Sequence, residues 1–311
     1  MTASVADMTA SEFRALFRSV CNWDRWPERA ERGALNYLTP DRVAAATRLV
    51  ESGVTVTLSQ PLDTERRVDN PSPAEHRMTM MPDVDIGSGT VRFAKDYIGA
   101  DYHNEGHSHI DAFSHVVYGG ELYGGEPDAA VTAQGAAAGA IDLLEDGLVG
   151  RGVLLDIPRL RGVPWLEPGE HVFPTDLEAA EREQGVSVGP GDVLLVRTGH
   201  ARRLAERPPW DTAEAKAGMH PRTASFLAER SVAALGSDGN NDTAPSTTEG
   251  IDFPIHVLAL NAMGVHLFDY LQFEDLVPLC EARGRWEFLF VALPLRVTGG
   301  TGSPLNPIAV F

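Results

Sequence analysis

Thiols are scarce. Cys21 and Cys280 are the only cysteines in 311 residues, and they form no CxxC pair. Two isolated cysteines make neither a disulfide framework nor a cysteine-based zinc site. Each reads as a small buried apolar side chain. Positive charge is also short: 26 Lys and Arg stand against 44 Asp and Glu, for a formal net charge of −18. Such a surface disfavours nucleic acid and anionic membrane, which both demand local positive charge. No apolar run reaches the roughly 18 residues of a membrane helix. The start, MTASVADMTASEF, lacks the basic-then-apolar order of a signal segment. The expected compartment is therefore the cytoplasm, and the expected partner a small molecule.

Several chemical motifs are missing too. No glycine-rich dinucleotide loop follows the first strand, and no GxxxxGK[ST] segment occurs. There is no GxSxG elbow; GSGT at Gly87–Thr90 lacks that spacing. What remains is a composition of 43% hydrophobic and 23% charged residues, ordinary for a globular chain. Its length can bury a substantial core. No internal repeat and no strong boundary appears, so one domain is expected.

Local signals give separated helices and strands. Phe13, Leu16, Phe17 and Val20 lie at near-helical spacing, with Ser11 available as a cap. Thr39 and Pro40 open a second helix, which Gly53 is expected to end. Residues Val54–Leu58 alternate like a strand with one wet face. Residues 61–100 are rich in Pro, Asp and Gly and predict a long excursion, with a strand near Thr90–Phe93. Further strands are predicted at Gly152–Ile157 and Val193–Arg197, in AALGSD, and in WEFLFVALPLRV. Short helices are predicted in TDLEAAEREQG, capped by Thr175 or Asp176, and in PRTASFLAERSV. PIHVLALNAMGVHLFD mixes a helical start with a strand-like end. The class is α+β or mixed α/β.

The informative stretch is His103–His115, HNEGHSHIDAFSH, which holds four of the ten histidines plus Glu105 and Asp111. Alternate side chains of an extended segment share a face, so His103, Glu105, His107, His109 and Asp111 have one parity. A bulge at Gly106 would shift the earlier residues, but His109 and Asp111 still converge. Imidazole and carboxylate together suit Zn, Mn or Fe. A helical turn at Ala112 would bring His115 back over the same point, where a neutral imidazole can take a proton from water. His103, Glu105 and His107 all stay open as the first ligand. Isolated histidines such as His76, His171 and His200 read as structural.

SHIDAFSH resembles the HxGTHxDxxxH signature of the metal-dependent cyclase family, which includes bacterial kynurenine formamidase and isatin hydrolase. Gly33–Val43, Gly191–Gly199, Pro254–Asp269 and Phe290–Phe311 resemble further segments of its larger members. The resemblance implies a mixed β/α domain with a β-barrel-like core and surrounding helices, over residues 31–311, after an N-terminal helical extension at 1–30. It implies a homodimer or homotetramer. It implies one divalent ion, Zn or Mn, and hydrolysis of an amide, formamide or lactam C–N bond in a small cyclic substrate. The ligand roles fall on His103, His109, Asp111, His256 and Asp269, and the base on His115. Glu105 stands where the usual first histidine lies, Phe113 where a proline is common, and Asp269 where the formamidases have glutamate. Asp238 and His266 are further candidates near these segments. Trp23 and Trp26 are candidates for the core or for a pocket wall, and Thr301 and Ser303 for hydrogen bonds in a turn packed near the site.

Two other readings compete. One is ring closure or dehydration of a carbonyl compound, which releases no new carboxylate. The other is a non-catalytic metal-containing binding module, which predicts a metal position closed to solvent.

Overall fold

The structure is a computed structural model and describes residues 8–84, 87 and 89–311. Its centre is a nine-stranded sheet. The strand order is Thr55–Thr57, Ile308–Val310, Glu287–Ala292, Leu148–Asp156, Val193–Arg197, Ala234–Ser237, His266–Asp269, His109–Asp111 and Gly302–Pro304. The four strands from Leu148–Asp156 to His266–Asp269 run parallel, and the flanking pairs are antiparallel. The sheet curls into half a barrel surrounded by helices, a single α/β domain. The barrel-like core is thus open: its edge strands, Thr55–Thr57 and Gly302–Pro304, do not pair with each other.

Burial follows topology. Val193–Arg197, Ala234–Ser237 and His266–Asp269 are buried at every position, as parallel strands covered on both faces must be. Glu287–Ala292 alternates between buried and half-buried residues, the pattern of a strand with one wetter face. The helices Pro174–Gln184, Thr223–Arg230 and Pro254–His256 lie in the crossovers between parallel strands. The helix Ala10–Val20 buries Phe13 and Val20 in the same core.

Several local expectations need correction. The first helix is capped by Thr9, not Ser11, because Thr9 and Glu12 satisfy each other's backbone donors. Thr39 and Pro40 do open the second helix, but it stops at Thr47. Beyond it the bonds tighten to three-residue spacing at Arg48, Leu49 and Val50, which ends the helix before Gly53. The Pro174–Gln184 helix starts one residue earlier than its expected caps, with the Asp176 carboxylate accepting the Phe173 N–H at 2.7 Å. Thr90–Phe93 is not a strand. The excursion instead pairs Glu75–Met80 with Lys95–Gly99 as a hairpin. After His256 the chain widens into a π-helical turn, Val257–Ala262, a distortion common at functional sites.

Candidate metal centre

The His109–Asp111 strand lies between His266–Asp269 and Gly302–Pro304, with His109 opposite Asp269 and Asp111 opposite Gly302. Its alternation puts His109 and Asp111 on one face. Ala112 is extended, then Phe113–His115 forms a single 3₁₀ turn that carries His115 back over them. His115 stacks on His103, with ring centroids 4.0 Å apart and planes 6° off parallel. His256 arrives from the crossover helix, and Asp269 from the carboxyl end of a parallel strand, where α/β sheets place their sites.

Asp111 is the hub. It is fully buried, and neither carboxylate oxygen has a hydrogen-bond partner among the described residues. Yet imidazole nitrogens surround it: His103 Nδ1 at 2.8 Å and His109 Nε2 at 3.6 Å from Oδ1, and His256 Nε2 at 3.4 Å from Oδ2. Two sets of ligand atoms lie within 4.8 Å of one another, His103–His109–Asp111 and Asp111–His115–His256. Burial opposes ionisation of Asp111, but His115 and His109 hold its carboxyl well below the usual range. Burial also opposes charge on His256, but Asp269, Asp111 and Asp242 hold it well above the usual imidazole value. The cluster therefore calls for positive charge among its carboxylates. A buried carboxylate without hydrogen bonds, ringed by imidazole nitrogens, fits a divalent cation.

The outer partners orient the rings. His103 Nε2 hydrogen-bonds Thr301 Oγ1 at 3.0 Å, His109 Nδ1 donates to the His107 carbonyl at 2.8 Å, and His256 Nδ1 meets Asp242 Oδ2 at 2.5 Å. In each case the other nitrogen is left facing Asp111, the arrangement expected behind metal-binding histidines. Asp242 also accepts the Ile255 and His256 N–H groups, which fixes the start of the crossover helix. His266 stacks on Phe113 and bonds the Asp111 carbonyl at 2.8 Å. Burial pushes His115 down to about 4, against the pull of Asp111.

The remaining candidates have further partners of their own. His107 contacts the Ser72 carbonyl at 3.3 Å, and Glu105 pairs with Lys216 at 3.4 Å. Asp269 stands beside the cluster, with Oδ2 3.4 Å from His256 Nε2, and accepts donors from Asn240 and Asn241 on both oxygens. Asp238 is structural: its carboxylate accepts the backbone N–H groups of Thr198, Gly199 and His200, which starts the next helix. Trp23 donates to the Asn261 carbonyl and Trp26 packs edge-on against Tyr37. Neither lines the cleft described next. Ser303 makes local bonds to Leu295 and Pro304.

A cleft of about 580 Å³ opens on the cluster, lined by His103, His109, His115, His256 and Asp269. Tyr118, Lys216, Phe253 and Tyr270 line it too. Sequence reasoning missed Lys216, Asn240, Asn241 and Asp242. A signal existed for the last three, as a polar run directly after a buried parallel strand is where such sites gather.

The family model described as "Putative cyclase" matches residues 56–241. A crystal structure described as a novel cyclase shares 34% identity over 94% of this chain and 99% of its own, with a TM-score of 0.85. The chain belongs to the cyclase family. Its cyclase fold also matches isatin hydrolase A from Ralstonia solanacearum, at 21% identity, TM-score 0.60, over 88% of this chain and 97% of that one. Isatin hydrolase A from Labrenzia aggregata, bound to benzyl benzoate, matches at 20% identity and TM-score 0.59, over 86% and 97%. No curated protein matches. Among the described residues, no helix of this chain is long and apolar enough to cross a membrane.

Proposed function

We propose that this cyclase-family chain is a metal-dependent hydrolase that cleaves the C–N bond of an amide, formamide or lactam in a small, cyclic substrate. The observation that carries the reading is the buried, unpartnered Asp111 carboxylate ringed by imidazoles at the floor of an open cleft. The ligands are His103, His109, Asp111 and His256, with Asp269 supporting His256, around one zinc or manganese ion. A divalent cation held there acidifies water and polarises a carbonyl oxygen.

The side chains do the rest. His115, kept neutral by burial, accepts the proton of the attacking water at a ring nitrogen. It then hands that proton to the departing nitrogen as the C–N bond breaks. Thr301, Asp242 and the His107 carbonyl hold the ligand rings in one tautomer and orientation. Tyr118 and Phe253 offer apolar walls for a flat ring. The two isatin hydrolases that share the fold support a cyclic amide as the substrate class. The open cleft disfavours a non-catalytic binding module.

The same reading gives a cytoplasmic enzyme of residues 31–311 with a helical extension at 1–30, acting as a homodimer or homotetramer. Support for assembly comes from the exposed Met78, Tyr97 and Ile98 on the Glu75–Gly99 hairpin. The test is elemental analysis of untagged protein beside His109→Ala. About one zinc or manganese per chain, lost in the variant, is expected. Incubation of the loaded protein with formamides and lactams should then release a new carboxylate. Metal retained by His109→Ala, or turnover without a new carboxylate, overturns the assignment.

A further inference from the structure

The lining of the cleft holds two unexplained polar groups. Lys216 is only 2% exposed, yet it lines the cleft. Its ammonium has three N–H donors, and among the described residues one acceptor meets them: Glu105 Oε1 at 3.4 Å. That is long for a charge-assisted bond, which normally closes to about 2.7–2.9 Å. Two donors are therefore left over on a buried charge, which burial makes costly. The face of Phe253 lies 5.7 Å away and supplies only a weak further contact.

Tyr270 lines the same cleft. It is 1% exposed, and its phenol oxygen has no hydrogen-bond partner. Its backbone is left-handed, at φ 55°, uncommon for a bulky residue. That conformation is pinned from both sides. The Tyr270 N–H donates to the Gly239 carbonyl at 2.9 Å, and its carbonyl accepts the Ser108 hydroxyl at 2.5 Å. Strained backbone of this kind persists where surrounding contacts over-determine it, and it gathers at ligand sites.

We propose that Lys216 and Tyr270 form a substrate-recognition subsite for an acidic oxygen, and that the substrate carries a carboxylate apart from its scissile C–N bond. This rests on the cleft being the substrate site proposed above. The ammonium donates its spare N–H groups and the phenol its O–H to that carboxylate. Glu105 holds the ammonium in place when the cleft is empty.

The test is calorimetric titration of metal-loaded enzyme with benzoate and, as a neutral control, benzyl alcohol. Lys216→Met should weaken benzoate by at least about tenfold, since a bond to a charged group is lost. The double variant Lys216→Met with Glu105→Gln should weaken it as much, which separates lost donors from an exposed Glu105 charge. Tyr270→Phe should weaken benzoate by about two- to tenfold, and Lys216→Arg should restore most of the affinity. Benzyl alcohol should bind all forms alike. Benzoate affinity unchanged in the double variant, with circular dichroism matching the wild type, overturns the subsite. So does no benzoate binding by the wild type, or weakening by His109→Ala alone. Metal content is measured on the same samples. Metal-free protein would defeat the hydrolase reading, while the dependence of benzoate on Lys216 would still be read.

Discussion

The floor of the cleft and the Glu75–Gly99 hairpin treat polarity in opposite ways. On the floor, His109, Asp111, His256 and Asp269 are each 5% exposed or less. On the hairpin, Met78, Tyr97 and Ile98 are 46%, 43% and 57% exposed. One region hides charge and the other displays apolar surface, and each is costly for an isolated chain. The floor resolves much of its cost internally, because the His103, His109 and His256 rings each have an outer partner and their inner nitrogens converge on one carboxylate. On the hairpin the Arg77 guanidinium covers the Tyr97 ring at 4.8 Å, while Met78 and Ile98 stay exposed. The hairpin's two strands pair only with each other, outside the nine-stranded sheet. A region complete but for a cation and a region complete but for a covering surface thus respond to different perturbations.

The sharpest separation uses His115. His115→Ala should leave the metal content unchanged while turnover falls by about 10²- to 10⁴-fold, the range for losing a general base. Metal loss instead would make His115 a ligand, consistent with its place in the second cluster of ligand atoms. Next is Thr301→Val, which removes the hydrogen bond to His103 Nε2 without touching any ligand. Metal affinity should drop by about 10- to 100-fold in a competition titration with a chelator. An unchanged affinity would mean that stacking on His115 alone holds the His103 ring. The smallest effect is expected from Ile98→Asp on the hairpin. Stability should move by no more than about 0.5 kcal/mol, as for exposed sites generally, and metal content not at all. The molar mass by light scattering should fall to that of one chain. A mass unchanged from the wild type would remove the hairpin from the assembly surface.

The floor was more legible in the sequence than the hairpin, for a physical reason. His109 and Asp111 follow from the two-residue period of a strand, and His115 from one turn after Ala112; both are local rules. Thr39 and Pro40 announced their helix by the same kind of short-range chemistry. The hairpin strands were not read, because Thr90–Phe93 has stronger strand character than Lys95–Gly99 and only pairing decides between them. Lys216 was silent for a different reason. Its meaning depends on Glu105, 111 residues away in sequence, and no local pattern marks such a meeting. Among His103, Glu105 and His107, the family resemblance favoured His103, which local pattern alone could not do. Parity offers all three, while the structure gives Glu105 to Lys216 and His107 to Ser72.

The Gly302–Pro304 strand and Thr301 have a consequence in time. Thr301 comes 198 residues after His103, the ring it orients. Ribosomes add about 5–20 residues per second, so roughly 10–40 s separate the synthesis of the two. Throughout that interval the nascent chain offers four histidines between His103 and His115, without the strand that flanks Asp111. The His103 ring gains the partner that orients it only when residues 301–304 dock, so the cluster reaches its finished geometry at the very end of synthesis.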